Sequence, residues 1–567
     1  MAFIEKQEIV KIVKQPALTN DFSFNIISNI LGWKKANKFY DRVKSLNAKQ
    51  FLAAYKRNSR IKHIIPNNQI ERIPATESLL IIANHPTGIP DGLLILDQVL
   101  KVRQDIKIIA NEMTYKVDPI KPFTIPVDPY ENAQSKTQNS TQIRTIIQWL
   151  NEGHCIILFP AGNVADYDFK KREISEQFWH PTAKKIILKH KGAILPWAIA
   201  GKNSALFYQL GKIHPAFKSA LLTREGLKKR RRPIYSFIGK PCRINGNEGL
   251  LNDLETKVKL MSISLVNKTK NPFKQPKKST LVNIANKRNQ EQIELEISML
   301  NAPLISKGNY HVYLTKHSES PEILLEIGRL REVTFRSVNE GSGKERDLDK
   351  YDEQFSHLIL WDNEQKEIVG AYRLGDGTKL HNEKNYHSIM YDYYQKNKEI
   401  ENVLKQSLIL GRAFVREEYQ QKAFPLFLLW QGITQYIKNT KEIKFVLGQT
   451  SLPNSYHSFT KALITGFILK HHCNKELIKH FNAYFPYKNE PNKLVADWLS
   501  NPANIDFKRL DRIVECVEPD GNKLPILFRR YIEQNAVCIG INIDPDFQNS
   551  IDILMLTKVE DIKMQNE

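Results

Sequence analysis

The chain has 567 residues, of which 41% are hydrophobic and 25% charged, and its formal net charge is +22 at pH 7. This length exceeds what one hydrophobic core usually serves, and the composition excludes wholesale disorder. No apolar run approaches the roughly 18 to 20 residues that span a bilayer. The five cysteines form no C-x-x-C pair, so we expect a reducing, cytoplasmic compartment and neither a disulfide framework nor a metal site.

The positive charge is unevenly distributed. Residues 1–300 contain 48 Lys and Arg against 25 Asp and Glu, a net charge of +23, whereas residues 301–567 contain 35 against 36, a net charge of −1. A basic excess confined to one half predicts an anionic partner for that half: nucleic acid, an anionic membrane surface or an acidic carrier protein. The charged first 14 residues lack an apolar core, so we expect no signal peptide.

Before residue 267, short apolar runs alternate with helical patterns. Residues 17–55 predict an amphipathic helical segment, which packs on the core or lies on a membrane. Strands are predicted at Ser78–Asn84, Ile106–Ala110, Cys155–Phe159, Ala193–Ala200 and Ile234–Ile238, and helices at Thr141–Asn151 and His180–His190. Strands interleaved with helices indicate an α/β sheet domain, which we place at residues 1–266.

The composition changes at residues 267–300. Residues 267–288 are rich in Lys, Asn and Pro and predict a basic linker, and a helix is predicted at Glu291–Leu300. Residues 301–567 then predict a mixed α+β domain on a central sheet. Its predicted strands are Tyr310–Leu314, His357–Trp361, Glu367–Leu374, Ser407–Val415 and Lys444–Gly448, and its predicted helices are Glu322–Phe335 and Ala423–Lys438.

Two motifs in the first half carry candidate chemistry. In NHPTGIPDG, His85 leaves the end of a predicted buried strand, and Asp91 follows across a turn, from where its carboxylate can hold the imidazole in one tautomer. In FPAG, Phe159, Pro160, Ala161 and Gly162 follow another buried strand, and the N–H groups of Ala161 and Gly162 can bind an oxyanion or a phosphate. Either motif alone is weak, because a histidine beside a turn is commonly a structural residue.

Together with ILPWAIAG, these motifs resemble the glycerolipid acyltransferases over about residues 77–201. The resemblance implies that His85 deprotonates an acceptor hydroxyl for attack on an acyl thioester and that Asp91 orients His85. Five residues separate His85 from Asp91, where the family usually has four, and Ala161 stands where the family usually has Glu. These departures resemble a branch that acylates amino-acid lipids rather than lysophosphatidate.

The second half groups acidic and arginine residues around predicted strands. Arg331 lies on a predicted helix, Asp349 and Asp352 precede a strand, Arg373 lies on the next strand, and Arg412 on the central one. Surface ion pairs would give the same spacing and contribute little.

The second-half pattern also resembles a known family, over about residues 310–559. LREVTFR, DLDKYDEQFSHLIL, IVGAYRL, LILGRAFV and IDPDFQNSID together resemble the acyl-carrier-dependent N-acyltransferases, which include the ornithine N-acyltransferases and homoserine lactone synthases and have an acetyltransferase (GNAT) fold. The resemblance implies amine-substrate binding by the five residues named above. The expected phosphate-binding loop has no glycine at residues 420–425, which favours acyl carrier protein over coenzyme A as the thioester donor.

The fusion of the two halves resembles the bifunctional ornithine lipid synthases. It implies that the second half joins a 3-hydroxyacyl chain from acyl carrier protein to ornithine, and that the first half then esterifies the 3-hydroxyl. The chain would lie peripherally on the inner face of the cytoplasmic membrane, with no bound cofactor or metal.

Three alternatives stay open. The head group could be glycine, lysine or a lysophospholipid. One half alone could be catalytic. A nucleic-acid binder is the distant alternative, and we expect no nucleic acid because aromatic residues are not interleaved with the basic runs.

Overall fold

In the computed structural model, the chain divides into two compact units, residues 1–273 with 513–522, and residues 274–512 with 523–567. The structure describes residues 28–562 except 67–68, 128–132, 169–172, 214, 229–232, 267–281, 339, 384–385, 421, 423, 489–492, 501–505, 519–521 and 546. Most of the predicted basic linker and residues 17–27 of the predicted amphipathic segment therefore lie outside the described residues. The functional boundaries at residues 266 and 300 stay predictions.

The first unit contains one large sheet with helices on both faces. Its strands are β1 (Lys62–Ile64), β2 (Leu79–Ala83), β3 (Ile106–Asn111), β4 (Thr124–Val127), β5 (Cys155–Leu158), β8 (Ala193–Ala200) and β9 (Pro233–Ile238), with β6 (Asp166–Asp168) and β7 (Glu173–Ser175) forming a separate hairpin. Its helices are α1 (Trp33–Val43), α2 (Ala48–Ser59), α3 (Ile89–Val99), α4 (Glu112–Tyr115), α5 (Ala133–Asn151), α6 (Pro181–Lys189), α7 (Ala205–Ile213), α8 (Pro215–Leu227) and α9 (Glu248–Val266).

The strand order of this sheet is β1-β9-β8-β2-β5-β3-β4, and every neighbouring pair is parallel except β8 with β9. All five residues of β2 are buried, because helices cover both faces of the sheet. Leu79 and Ile81 belong to the core on one face, and Leu80 and Ile82 to the core on the other. The predicted α/β class is confirmed.

The N-terminal helices α1 and α2 pack on this core. Phe39, Val43 and Phe51 are buried in the same cluster as Leu79 of β2. The amphipathic segment was predicted either to pack on the core or to lie on a membrane, and its described part packs on the core.

The second unit contains an eight-stranded sheet. Its strands are β10 (Ile305–Lys307), β11 (Tyr310–Thr315), β12 (Ser356–Asp362), β13 (Glu367–Asp376), β14 (Ser407–Val415), β15 (Phe445–Leu452), β16 (Val537–Asp544) and β17 (Ser550–Lys558). Its helices are α10 (Gln290–Met299), α11 (Pro321–Ser337), α12 (Gly377–Leu380), α13 (Met390–Tyr393), α14 (Lys398–Leu404), α15 (Glu417–Gln420), α16 (Pro425–Lys438), α17 (Ser458–His471), α18 (Lys493–Ser500) and α20 (Ile526–Glu533); α19 spans Phe507–Val517.

The strand order is β10-β11-β12-β13-β14-β15-β17-β16, and β14 with β15 is the parallel pair in an otherwise antiparallel sheet. These two strands pair only from Ser407 with Phe445 to Leu410 with Gly448. Beyond that point β14 continues beside β13, and β15 continues beside β17. The sheet therefore opens between β14 and β15, as the acetyltransferase-like prediction requires.

Within the described residues, no helix is both long and apolar enough to cross a membrane.

Candidate functional site

The first site begins where β2 ends. The Asn84 side chain forms two hydrogen bonds with the backbone of Ile199 on the neighbouring strand β8: Nδ2 donates to the carbonyl at 2.8 Å, and Oδ1 accepts from the N–H at 2.6 Å. Since Asn84 is buried, this pair of bonds fixes the point at which the chain leaves the sheet. His85, the next residue, therefore lies at the carboxyl edge of the sheet in a fixed position.

The turn after His85 leads directly into α3 and holds Asp91. Gly88 has φ 85°, a left-handed conformation that glycine adopts without strain. Asp91 Oδ2 accepts hydrogen bonds from the N–H groups of Thr87 at 2.8 Å and Gly88 at 2.9 Å, and Oδ1 accepts from the Thr87 hydroxyl. The carboxylate is fully buried at a helix N-terminus, where backbone N–H groups favour negative charge.

His85 and Asp91 lie together as predicted from the sequence. Nδ1 of His85 is 3.0 Å from Oδ2 of Asp91, although the Nδ1–H direction is not well aligned with that oxygen. The imidazole also stacks on Phe159, with ring centroids 4.2 Å apart. Because Asp91 lies beside Nδ1 and Phe159 stacks on the ring, Nε2 is the ring nitrogen on the side away from the carboxylate.

The Phe-Pro-Ala-Gly turn lies at the same edge, because β5 runs parallel to β2 and pairs with it up to Leu158. The Gly162 N–H donates to the Phe159 carbonyl at 3.0 Å, and Gly162 has φ 72°. This bond corrects one part of the predicted anion cradle, since the Gly162 N–H closes the turn and is not available to a ligand. The Ala161 N–H therefore stays the predicted donor of this turn. The Pro160 carbonyl accepts from the His180 N–H at 2.8 Å, which ties the turn to the start of α6.

Glu176 is a residue of this site that the sequence analysis missed. Its Oε1 accepts a hydrogen bond from the His85 N–H at 2.6 Å. Burial raises the pKa of Glu176 to about 7, and the negative charge of Asp91 acts in the same direction, while the His85 contacts oppose them. No motif marks Glu176, because it follows β7 and reaches His85 only through the tertiary structure.

The second site is a buried network of ion pairs beside the opening between β14 and β15. Arg331 Nη1 lies 2.7 Å from Asp352 Oδ1, and Arg373 Nη1 lies 2.6 Å from Asp349 Oδ1 and 3.3 Å from Asp352 Oδ2. Arg331 and Arg373 are 0% and 2% exposed, so these pairs are not the exposed kind that contributes little.

The pKa values of the two carboxyls reflect this network. Burial alone would raise the pKa of Asp352, but Arg331 and Arg373 outweigh it and hold that pKa well below its ordinary range. The pKa of Asp349 is lowered in the same way, chiefly by Arg373 against the effect of burial. Both side chains are therefore anions near neutral pH.

Arg412 joins this network from β14. Its Nη2 lies 3.3 Å from Asp349 Oδ2, and its Nε lies 3.2 Å from Asp347 Oδ2. Arg412 has φ 49°, a conformation that costs energy in a residue with a side chain and commonly marks a functional position. The guanidinium also stacks 4.2 Å from the ring centroid of Phe547. All five residues predicted for amine binding therefore belong to one cluster.

His357 completes the network and was not predicted. Its Nδ1 is 3.3 Å from Arg331 Nη2, and its Nε2 is 2.9 Å from the Asp352 carbonyl. A guanidinium can only donate, so Nδ1 accepts and Nε2 carries the proton. Burial, assisted by Arg331, lowers the pKa of His357 to about 4. This histidine is therefore a neutral structural partner of the network.

An apolar pocket lies on the other face of the same sheet. Tyr372 lines this pocket, whereas Arg373, the next residue on β13, belongs to the ion-pair network, because neighbouring residues of a strand point to opposite faces. Helices α16 and α20 supply most of the remaining wall. Its residues include Phe427, Trp430, Leu527, Arg530 and Tyr531.

Comparison with known proteins supports both halves. Residues 19–262 match the family described as acyltransferase, and residues 330–431 match the acetyltransferase (GNAT) domain. The glycine N(alpha)-acyltransferase of Bacteroides thetaiotaomicron is 31% identical over 273 residues, which cover 46% of this chain and 80% of that protein. The protein of the same name from Phocaeicola vulgatus is 30% identical over 241 residues, which cover 40% of this chain and 72% of that protein.

Among solved structures, the loading GNATL domain of CurA from Lyngbya majuscula is 13% identical, with 44% of this chain and 98% of that chain covered and a TM-score of 0.23. The sheet order and the two matched domains identify the fold. The chain belongs to the family of these two bacterial acyltransferases, and it is an acyltransferase that combines an acyltransferase domain with a GNAT domain.

Proposed function

We propose that the chain makes a two-chain aminolipid in two successive acyl transfers. In the second unit, the amine of an amino acid attacks the thioester of a 3-hydroxyacyl carrier protein; a C–N bond forms, the C–S bond breaks, and the amine proton leaves with the thiol. In the first unit, the 3-hydroxyl of that amide attacks a second acyl thioester. The observation that carries the proposal is the His85–Asp91 pair at the end of β2, with Nδ1 and Oδ2 3.0 Å apart.

The proposed O-acyl transfer uses His85 as the general base. Nε2 takes the hydroxyl proton, the hydroxyl oxygen forms the new ester bond, and the imidazolium returns the proton to the departing thiolate. Asp91 stabilises the transient imidazolium and fixes the ring. The Ala161 N–H is the proposed donor to the oxyanion of the tetrahedral intermediate.

The proposed N-acyl transfer places donor and acceptor on opposite faces of the second sheet. The apolar pocket beside Tyr372 is the proposed site of the acyl chain, and Tyr531, which lines it, also lies beside Gly448, where β14 and β15 separate. The network of Arg331, Asp349, Asp352, Arg373 and Arg412 lines the proposed acceptor site. Acyl carrier protein is the proposed donor. Residues 420–425 contain no glycine, and a glycine would allow the backbone to approach the pyrophosphate of coenzyme A closely.

We propose ornithine as the head group because carboxyl groups outnumber guanidinium groups on the acceptor face. Asp352 is coupled there to Arg331 and Arg373, and Arg412 to Asp347, Asp349, Asp352 and Asp552. Asp552 is in turn coupled to two further carboxyls, those of Asp544 and Glu340. Burial, with Asp544 and Glu340, raises the pKa of Asp552 well above its ordinary range. A second, cationic amine on the substrate would stabilise the charged form of such a carboxyl.

Glycine is the second candidate head group. The two bacterial relatives carry the name glycine N(alpha)-acyltransferase, and glycine would leave the carboxyl excess without a cationic partner. The purified chain, supplied with a 3-hydroxyacyl carrier protein and with ornithine, lysine or glycine in turn, separates the candidates. We expect kcat/KM for ornithine to exceed that for glycine at least tenfold, and the substitution Asp552→Asn to reduce that ratio. A preference for glycine would establish the second candidate.

We also propose peripheral binding to an anionic membrane surface. The first 300 residues carry the whole basic excess, and each Lys or Arg near such a surface contributes on the order of 1 kcal/mol. Phe178 is 82% exposed, and Lys259 Nζ lies 5.0 Å from its ring centroid, a pairing suited to a lipid interface. Sedimentation with phosphatidylglycerol vesicles, but not with phosphatidylcholine vesicles, is the expected result.

A further inference from the structure

We propose that Glu176 is a positioning residue of the O-acyl transfer site, whose carboxylate holds the backbone of His85 and makes the reaction sensitive to pH. This inference rests on the proposed function of the first unit. The contact that carries it is the hydrogen bond from the His85 N–H to Glu176 Oε1, at 2.6 Å.

Two residues between β5 and α6 form hydrogen bonds with the backbone of His85, one with its carbonyl and one with its N–H. The His85 carbonyl accepts a hydrogen bond from the Ala165 N–H at 2.9 Å, and the His85 N–H donates to Glu176. The imidazole is separately held by Asp91 and by the stacked ring of Phe159. Glu176 therefore fixes the backbone from which the catalytic ring projects, whereas Asp91 and Phe159 fix the ring itself.

Glu176 is itself held in place by the chain that follows it. The Trp179 N–H donates to Glu255 Oε1 at 3.2 Å, and Trp179 is buried. Lys259, one turn further along α9, lies over the ring of Phe178. The short segment 176–180 is thus anchored to α9, so that the carboxyl of Glu176 stays against His85 without depending on a bound substrate.

The surroundings of Glu176 determine its charge state. The charged and titratable groups that face it are His85 and Asp91 on the motif side and Lys259 on α9. Burial raises the pKa of Glu176 to about 7, and Asp91 adds to this rise, while the hydrogen bond from His85 and the charge of Lys259 oppose it. Glu176 therefore changes charge close to neutral pH.

The two charge states have different effects on His85. An ionised carboxylate accepts a stronger hydrogen bond from the N–H than a neutral acid does. It also adds a second negative charge beside the imidazolium that forms when His85 takes the hydroxyl proton. Protonation of Glu176 removes both contributions, so O-acyl transfer should slow as the pH falls below about 7.

The test is the pH profile of O-acyl transfer by the full chain. The acceptor is a synthetic N-(3-hydroxyacyl)ornithine, the donor is an acyl carrier protein thioester, and kcat and KM are measured from about pH 5.5 to 9 for wild type, Glu176→Gln and Glu176→Ala. Glu248→Gln serves as the matched control, since Glu248 is an exposed glutamate at the start of α9 in the same unit.

Glu176→Gln keeps an oxygen that can accept from the His85 N–H but cannot ionise. We expect its kcat to stay within about threefold of wild type near pH 8, and its loss of activity toward acid pH to be shallower than that of wild type. Glu176→Ala should lower kcat at least tenfold at every pH with little change in KM. The control should follow the wild-type profile.

Two outcomes would overturn the proposal. If the Gln and Ala variants both follow the wild-type profile, Glu176 does not position His85. If Ala is slow but Gln has the same acid limb as wild type, the charge of Glu176 does not influence the reaction, and the proposed pH sensitivity is wrong. Wild-type chain that transfers no acyl group to the hydroxyl at any pH would instead overturn the proposed function of the first unit, and this inference with it.

Discussion

The hydroxyl of Tyr531 lies 1.6 Å from the position that a Cβ atom would take on Gly448. Gly448 is the last residue of β15 that pairs with β14, opposite Leu410. Tyr531, on α20, also lines the apolar pocket. A glycine is therefore required at the point where the two strands separate, because the aromatic side chain of a pocket residue occupies the space beside it.

The substitution Gly448→Ala should disrupt the proposed donor pocket. The added methyl would meet the Tyr531 hydroxyl at 1.6 Å and its Cζ at 2.3 Å, so the ring must move into the pocket or the strands must separate further. We expect a destabilisation of about 1 to 3 kcal/mol and at least a tenfold loss of N-acyl transfer, measured with a 3-hydroxyacyl carrier protein. Gly226→Ala is the control, because a Cβ there meets nothing closer than 3.5 Å; equal losses in both variants would contradict this account of Gly448.

The substitution Asp91→Asn should impair O-acyl transfer selectively. An amide carries no charge to stabilise the imidazolium, and it cannot keep all three hydrogen bonds that Asp91 accepts from Thr87 and Gly88. General-base catalysis contributes about 10² to 10⁴-fold, and we expect a loss of kcat in that range with N-acyl transfer unchanged. An Asp91→Asn chain that still esterifies the 3-hydroxyl at the wild-type rate would remove Asp91 from the mechanism.

The substitution Arg373→Met should abolish N-acyl transfer and destabilise the second unit. It would leave Asp349 and the buried Asp352 without one of their cationic partners, a change that typically costs about 3 to 5 kcal/mol. Lys479→Met is the control, since its ion pair with Glu476 is exposed and should cost less than about 1 kcal/mol. Chemical denaturation measures both free energies, and similar values for the two variants would show that the buried network is dispensable.

His357 should make the second unit sensitive to acid. Its pKa is lowered from 6.5 to about 4 in the folded state, so the fold favours the neutral ring. The resulting stability is fully present above about pH 6.5 and is lost progressively as the pH falls toward 4, by an amount on the order of 3 kcal/mol.

His357→Gln tests this directly, because the glutamine amide can accept from Arg331 and donate to the Asp352 carbonyl without titrating. The pKa values of His63 and His457 are also lowered to about 4, so the informative quantity is the difference between wild type and variant. We expect the melting temperature of wild type to fall more steeply than that of His357→Gln between about pH 6.5 and 4.5. Parallel curves would show that the pKa of His357 does not differ between the folded and unfolded states.

Most regular elements could be predicted from hydrophobic patterning, and the differences have physical causes. Ala193–Ala200 and Ser407–Val415 were predicted with the observed bounds. α5 begins at Ala133, whereas the prediction begins at Thr141. The prediction missed the first turns because they are polar and carry no apolar periodicity. β15 extends to Leu452, beyond the predicted end at Gly448, since its polar residues Gln449 to Ser451 pair with β17.

Some residues of the two candidate sites could also be predicted from the sequence, and others could not. His85 and Asp91 could be predicted because they share one short motif, and Arg331, Asp352 and Arg373 because a family pattern extends through them. Glu176 and His357 could not, because their neighbours are distant in sequence and only the folded chain brings them into contact. The Gly162 N–H was assigned to a ligand because the sequence does not show that the turn itself would use it.

The separation of the two reactions is the central claim, and lipid analysis of living cells tests it most directly. Wild type and His85→Ala are expressed in a host that lacks aminolipids, and the extracted lipids are analysed by mass spectrometry. Wild type should yield an amino acid that bears two acyl chains, one amide-linked and one ester-linked, whereas His85→Ala should accumulate the amide with one chain. A His85→Ala strain that makes the two-chain lipid at the wild-type level would contradict the account.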